Sequence, residues 1–153
     1  MTGTFGTESA RVVYATSKAL EHACEGHPES NARVPAIEEA LVRDGLTPET
    51  RAGELAEISG FAPATKSALE GVHSKNYASG LELVCARNAP TNLDGAPTYC
   101  TESSYRDVMY GVGAATALVD EVIARGGENE TAPSGFGLIR PPGHHAVPRG
   151  PMG

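Results

Sequence analysis

Residues 104–125, SYRDVMYGVGAATALVDEVIAR, carry the sequence feature that most constrains the fold. Apolar residues recur there at alternating four- and three-residue steps, at positions 108, 112, 115, 119 and 122, which predicts a helix over Ser104–Arg125 with a cap at Ser103. A solvated turn at residues 126–134 and a short apolar run at residues 135–140 follow, and that run has strand character. Because another short strand is predicted at residues 11–16, the order strand, helix, strand indicates a layered α/β fold.

Glycines and prolines divide the rest of the chain into short elements. Gly111 and Gly113 each cost about 1 kcal/mol inside a helix, so we expect close packing against a neighbour to compensate. A first helix is predicted to begin after an N-cap at Ser30 or Asn31 and to end at Gly45. Further helices are predicted at residues 63–71 and 75–87, and residues 88–100 are predicted to form a loop.

Charge and cysteine content exclude several classes of function. The net charge of −7 argues against nucleic-acid binding, which needs clustered Lys and Arg. No apolar run approaches the length of about 20 residues that a membrane span requires, and no secretory signal is recognisable. The three cysteines form no CxxC pair and are expected to be free thiols of a reducing compartment, cytoplasm or nucleus, with plastid or mitochondrion as alternatives.

Two adjacent histidines, His144 and His145, follow the strand at residues 135–140 directly. Ligand-binding groups of α/β folds lie just past the carboxyl ends of strands. Pro141, Pro142 and Gly143 can turn the backbone so that both imidazoles face one cavity, since proline fixes φ and glycine permits positive φ. One imidazole can then take a proton from water while the other orients it or stabilises charge, although two partly exposed loop histidines would give the same pair.

Other clusters of polar residues favour structural interpretations. The spacing of His22, Cys24 and His27 fits no standard zinc pattern, so a loop before a helix is expected there. His73 is expected to be packed or hydrogen-bonded between helices. Asp120 and Glu121 are expected on a solvated helix face.

The segment FGLIRPPGHHAVPRGPMG closely resembles the zinc-dependent histone deacetylases, which have the arginase/deacetylase fold. HPESNARVPAIEEAL, VHSKNY and the long helical segment resemble further parts of that family in the same order. The pattern is class II-like and most similar to a plant or algal organelle type. The resemblance implies a three-layer α/β fold with a mainly parallel sheet, of which residues 11–153 would be the N-terminal, incomplete part after a disordered segment 1–10.

The resemblance also implies roles for individual residues. His145 would be the general base and then the general acid, and His144 its orienting and electrostatic partner. Gly143 would line the tunnel for the acyl-lysine stem, and Arg33 would line an internal channel for acetate. At the rim position where many members have a substrate-binding aspartate, this sequence has Pro97, with Asp94 three residues away.

The implied activity is hydrolysis of the N-acetyl amide of acetyl-lysine in histones or other proteins, with Zn²⁺ as the cofactor. The zinc ligands of the family, an Asp-x-His pair and a second Asp, come after the segment that matches Gly153, so no metal ligand is expected in this chain. We therefore expect the chain alone to be inactive and unstable. The alternatives are a non-catalytic truncated isoform or incomplete gene model, and a deacetylase of small acetylated amines or polyamines.

Overall fold

A computed structural model of the chain describes residues 10–95, 97–127 and 132–152. Helices alternate with the strands of a parallel sheet along these ranges, and a small hairpin comes before the longest helix. The elements are β1 (Val12–Ser17), α1 (Arg33–Arg43), β2 (Leu55–Ile58), α2 (Lys66–Glu70), α3 (Lys75–Arg87), β3 (Thr91–Asn92), β4 (Tyr99–Cys100), α4 (Ser104–Arg125) and β5 (Ser134–Ile139).

β1 is the central strand of a three-stranded sheet with the order β2-β1-β5. Both neighbours run parallel to it, with Val12 paired to Leu55 on one side and to Ser134 on the other. Parallel neighbours need crossover connections, and the helices between the strands provide them. The predicted α/β class with a parallel sheet is confirmed.

The core lies between α4 and one face of the sheet. Alternate residues of β1 point to that face, where Val13 and Ala15 are fully buried against Ala114 and Leu118 of α4. Ala10 is buried in the same core. The rest of the segment predicted to be disordered, residues 1–9, lies outside the described residues.

The buried face of α4 differs from the predicted apolar stripe. Gly111, Ala114 and Leu118 are buried on the side of α4 that contacts the sheet, and Ser104, Asp107 and Gly113 are buried elsewhere on the helix. Val119 of the predicted stripe is 56% exposed. Small residues face the sheet because they let the helix approach the strands closely, so helical spacing located the helix but not its buried side. Of the other stripe residues, Val122 packs against the core, while Val108, Val112 and Ala115 line a cavity.

Close packing at the two helical glycines is confirmed. A Cβ on Gly111 would lie 3.1 Å from Ile139 Cγ2, and one on Gly113 would lie 2.1 Å from the carbonyl oxygen of Ala62. A side chain is therefore excluded at Gly113, where α4 crosses the segment that precedes α2, and would be tightly packed at Gly111, where α4 crosses the end of β5.

Three predicted boundaries are corrected by the structure. The N-cap of α1 is Ala32, without a side-chain cap; the Ser30 hydroxyl instead accepts a hydrogen bond from the Ala32 amide at 3.2 Å, and Asn31 donates to the Leu20 carbonyl at 2.8 Å. α2 is shorter than predicted because it begins after Thr65, whose side chain accepts from the Ala68 amide. The predicted loop at residues 88–100 contains the β3–β4 hairpin.

Other predictions are confirmed, and one element was not predicted. α3 and α4 have the predicted bounds, and β1 and β5 are each displaced by one residue from the predicted strands. β2 was missed because its four residues carry no strong apolar alternation. The predicted turn at residues 126–134 lies partly outside the described residues. No helix in the described ranges combines the length and apolarity that crossing a bilayer requires.

Candidate active site

The histidine pair occupies the two central positions of a tight turn after β5. The turn is closed by the Ala146 amide, which donates to the Gly143 carbonyl at 3.0 Å. Consecutive side chains at the centre of such a turn can project to the same side, whereas on an extended strand they alternate. The two imidazoles accordingly lie in edge-to-face contact, with ring centroids 4.1 Å apart and planes at 77°. Gly143 is not among the glycines with positive φ, so the turn does not depend on the left-handed glycine conformation considered from the sequence.

Both imidazoles line a cavity of about 620 Å³. Gly143 contributes to the same wall, so the three residues predicted for this part of the site are brought together. The remaining walls come from the loop after β1, from α2 and α3, and from the hairpin. α4 contributes Val108, Val112 and Ala115 of its predicted apolar stripe. Most lining side chains are apolar, among them Leu69, Leu81, Leu93, Val108, Val112 and Met152.

Arg140, the residue before the Pro-Pro-Gly-His-His segment, anchors this segment to the loop after β1. Its side chain is 4% exposed and forms a bidentate ion pair with Glu29, with Nη2 2.6 Å from Oε2. The guanidinium also donates to the carbonyl oxygens of Lys18, Ala19 and His22 at 2.8 to 3.1 Å. Because the planar guanidinium donates in fixed directions, it holds the Glu29 carboxylate in one orientation in addition to attracting its charge. The end of β5 is thereby held at one place relative to the cavity wall.

Glu29 and Tyr99 extend this buried network. Burial alone would raise the pKa of Glu29, but hydrogen bonds from Arg140 and Tyr99 outweigh it and hold the pKa below its ordinary value. The Tyr99 hydroxyl donates to Glu29 Oε2 at 2.9 Å. Burial and the neighbouring Glu29 carboxylate raise the pKa of Tyr99, so its hydroxyl stays protonated as a donor.

His22 packs on the same tyrosine ring and is 6% exposed. Its imidazole stacks on Tyr99 with centroids 4.4 Å apart, and its Nδ1 lies 2.6 Å from the Ser104 hydroxyl at the start of α4. Burial is the main cause that lowers the pKa of His22, so the imidazole is neutral near pH 7. Cys24, between the two histidines of this loop, is exposed.

His27 joins the same loop to the hairpin at the rim of the cavity. Its Nε2 donates to the Pro97 carbonyl at 3.0 Å, while its Nδ1 accepts from the Glu29 amide at 3.1 Å. Asp94 lies within the hairpin, where its carboxylate accepts from the Thr98 hydroxyl at 2.8 Å and from the Thr98 amide at 3.4 Å. The Asp94 side chain is therefore used to hold the hairpin, and Pro97 lines the cavity.

The remaining polar residues singled out from the sequence have separate environments. The Nδ1 of His73 lies 3.2 Å from the Val147 carbonyl, and its ring contacts Tyr77 edge-on, in keeping with the predicted hydrogen-bonded histidine. Asp120 is exposed, while Glu121 pairs with Arg125 at 2.5 Å. Arg33 is exposed at the start of α1 and is not among the residues that line the cavity, so its channel role stays a prediction.

The Glu29–Arg140 pair was not found from the sequence. The two residues are 111 positions apart, and no local spacing rule links them. Their only sequence signal is that each lies in a segment with family resemblance, HPE and IRPPGHH.

No group of three or more His, Cys, Asp or Glu side chains that could hold a metal ion occurs within the described parts of the chain. The donor set of these residues therefore does not by itself fit the Zn²⁺ that the family resemblance implies.

The Histone deacetylase domain profile matches residues 27–153, which include both the Glu29 loop and the histidine turn. The chain belongs to the histone deacetylase family. It is 45% identical over 148 residues to Histone deacetylase 14, chloroplastic, of Arabidopsis thaliana, covering 94% of this chain and 35% of that protein. Histone deacetylase 10, chloroplastic, of Oryza sativa subsp. japonica is 43% identical over 94% of this chain and 33% of its own length.

The fold of this histone deacetylase segment matches a solved structure of the family. The crystal structure of the HDA15 HD domain superposes with a TM-score of 0.73 at 26% identity, over 95% of this chain and 39% of that one. The chain thus has a partial arginase/deacetylase fold, and it spans about a third of the length of the curated relatives given above.

Proposed function

We propose that this chain forms one wall of a deacetylase active site and that the complete domain hydrolyses the N-acetyl amide of acetyl-lysine in proteins. By complete domain we mean a polypeptide in which these residues are continued to the full length of such a relative. The observation that carries the proposal is the contact between two imidazoles on the wall of one apolar cavity, at the carboxyl end of β5, in a member of this family.

In this mechanism His145 takes a proton from the attacking water and later gives it to the leaving amine. Imidazole suits both steps because its ordinary pKa lies near neutrality. His144, with its ring 4.1 Å from that of His145, orients its neighbour and stabilises the charge that develops. Gly143 leaves room beside the pair for the acyl-lysine stem, since nothing lies within 4 Å of where its Cβ would be.

Zn²⁺ enters this proposal only through the family resemblance. The described residues provide no ligand set, so we assign no metal ligand to this chain and derive no step through the metal. In this proposal the chain supplies the general base, its partner and apolar side chains of the cavity wall.

The test is the activity of the complete domain on an acetyl-lysine peptide. His145→Ala is expected to lower kcat by about 10² to 10⁴, the range for loss of a general acid–base group. Lys75→Ala, at a side chain that is 83% exposed on α3, is the control and should leave kcat unchanged. Full activity of His145→Ala, in a protein that melts at the wild-type temperature, would refute the general-base role.

We also propose a plastid location for the complete protein, which the two relatives named as chloroplastic support. Immunoblots of purified plastids and of the remaining cell fraction test this location. Recovery of the protein only outside plastids would contradict it.

A further inference from the structure

We propose that His73 is a positioning residue for the general base, and that it holds the histidine turn through the backbone carbonyl of Val147. This inference rests on the deacetylase function proposed above and adds to it a residue that acts on His145 without touching the reacting atoms. The role differs from that of Arg140, which anchors the other end of the same segment.

The histidine turn has little support from the packing of its own side chains. His144 and His145 are both exposed, and their rings contact each other. The turn is closed by the hydrogen bond from the Ala146 amide to the Gly143 carbonyl. The positions of the two imidazoles therefore follow from where the backbone at the two ends of the turn is held.

The chain after the histidine turn forms a second closed turn at residues 147–150. The backbone groups of Val147 and Gly150 donate to and accept from each other, with N···O distances of 3.0 and 3.3 Å. This turn begins directly after Ala146, whose amide closes the histidine turn. A contact that holds the second turn in place therefore also holds the end of the histidine turn.

The junction between α2 and α3 provides such a contact. The Nδ1 of His73 lies 3.2 Å from the Val147 carbonyl oxygen, and the imidazole is the donor because a carbonyl oxygen can only accept. The amide of the next residue, Ser74, donates to the Pro148 carbonyl at 2.7 Å. Two adjacent residues of the junction thus bind two adjacent carbonyls of the second turn.

The junction is itself held in place. The Ser74 hydroxyl caps α3 by accepting from the Tyr77 amide at 3.2 Å, and the His73 amide donates to the Leu69 carbonyl of α2 at 2.8 Å. The His73 ring is half-buried and contacts the Tyr77 ring edge-on, with centroids 5.3 Å apart. The imidazole donor is therefore oriented before it meets Val147, and displacing a catalytic group by about 1 Å can lower the rate about 10²-fold.

Arg140 and His73 act at opposite ends of residues 141–147, but their loss has different consequences. Removing the partner of Arg140 leaves a buried charge, which destabilises the whole fold. Removing the His73 donor leaves the Val147 carbonyl with the Gly150 amide as a partner. Loss of His73 is therefore expected to displace the histidine turn without unfolding the domain.

Two substitutions of His73 in the complete domain separate the hydrogen bond from the ring. His73→Leu keeps an apolar side chain of similar size and removes the donor. His73→Asn keeps a donor, since the Asn amide nitrogen is the same number of bonds from Cα as Nδ1. On an acetyl-lysine peptide, His73→Leu is expected to lower kcat about tenfold to 10²-fold, and His73→Asn less than about threefold. Val72→Ala, at the neighbouring side chain that is 71% exposed, is the control and should leave kcat unchanged.

The pattern of kcat and KM decides between positioning and other roles of His73. Because His73 also lines the cavity, a change of KM that both substitutions share reports on the lost ring and not on the hydrogen bond. Equal losses of kcat in the two variants would overturn the inference, since the asparagine donor would then have failed to replace the imidazole. Full kcat in His73→Leu would overturn it as well.

Hydrogen exchange of the Ala146 amide measures the hold on the turn without any turnover. The reference is the Val13 amide in β1, whose exchange rises with global unfolding, so that the ratio of the two rates reports local opening. We expect this ratio to rise at least about fivefold in His73→Leu and to stay within about twofold of the wild type in His73→Asn. An unchanged ratio in His73→Leu would refute the contact's role.

The exchange measurement also distinguishes failure of this inference from failure of the proposed function. If the wild-type domain hydrolyses no acetyl-lysine peptide, the deacetylase function is refuted, and the exchange ratio still decides whether His73 holds the turn. If the domain is active and the ratio does not respond to His73→Leu, only the positioning role is wrong.

Discussion

Arg140 and Glu29, 111 residues apart, form a buried bidentate ion pair at the carboxyl end of β5. The pair joins the start of the histidine turn to the loop after β1, and that loop continues through His27 to the rim hairpin. The Arg140 side chain thus holds two walls of the cavity, the histidine turn and the loop after β1, in place relative to each other. The position of the histidine turn depends on this side chain because only Pro141 and Pro142 separate Arg140 from that turn along the chain.

Glu29→Ala is expected to destabilise the complete domain by about 3 to 5 kcal/mol, because it leaves the Arg140 charge buried without its partner. The measurement is the free energy of unfolding in urea. Glu82→Ala is the matched control, since its ion pair with Lys66 is about half exposed, and it should cost at most about 1 kcal/mol. Equal losses for the two variants would show that the buried pair is not a major contributor.

Much of the fold followed from local sequence signals, whereas the packing of the site did not. Helical spacing located α4, and the strand run at residues 135–140 located β5 to within one residue. The side of α4 that is buried could not be read from apolar spacing, because close approach selects alanine next to β1 and glycine next to the end of β5 and the segment before α2. Long-range polar pairs such as Glu29 with Arg140 are also invisible to periodicity, since nothing local specifies them. The histidine turn was anticipated from its motif, and its geometry agrees with the side-by-side imidazoles that the motif suggested.

Gly113→Ala is expected to destabilise the complete domain by about 1 to 3 kcal/mol through overpacking. The added Cβ would meet the backbone carbonyl oxygen of Ala62, which cannot move without displacing the segment before α2. Gly80→Ala is the control, because Gly80 lies inside α3 with nothing within 4 Å of the added carbon. That variant should stabilise the domain by up to about 1 kcal/mol, since alanine has the higher helix propensity. Urea unfolding of both variants gives the comparison, and destabilisation of similar size in both would contradict it.

The three cysteines are expected to differ in reactivity. Cys24 is exposed, whereas Cys85 and Cys100 are 2% and 1% exposed. Burial raises the pKa of Cys85 to about 11, which further suppresses its reactive thiolate. Iodoacetamide should therefore label Cys24 first in the native complete domain, and peptide mass spectrometry after timed quenching measures the order. Labelling of Cys85 as fast as that of Cys24 would be incompatible with the buried position.

Acid is expected to destabilise the complete domain in two steps. The pKa of His22 is below its ordinary value of 6.5 in the folded chain because of burial, so the unfolded chain binds more protons as the pH falls below 6.5. The contribution of the neutral His22 to the free energy of unfolding is fully present above pH 6.5 and is lost as the pH falls through the pKa of His22 in the folded chain. Glu29, whose pKa lies below its ordinary 4.5, adds a second loss that begins below pH 4.5. Each group contributes a slope of at most about 1.4 kcal/mol per pH unit.

Free energies of unfolding measured from pH 8 to pH 3 test this profile, and His22→Asn separates the two steps. An asparagine side chain can hydrogen-bond to the Ser104 hydroxyl, as an acceptor through its oxygen or as a donor through its amide, but it does not titrate. The variant should lose the slope that begins below pH 6.5 and keep the slope that begins below pH 4.5. If the upper slope survives in His22→Asn, another group causes it, and the buried neutral state assigned to His22 is wrong.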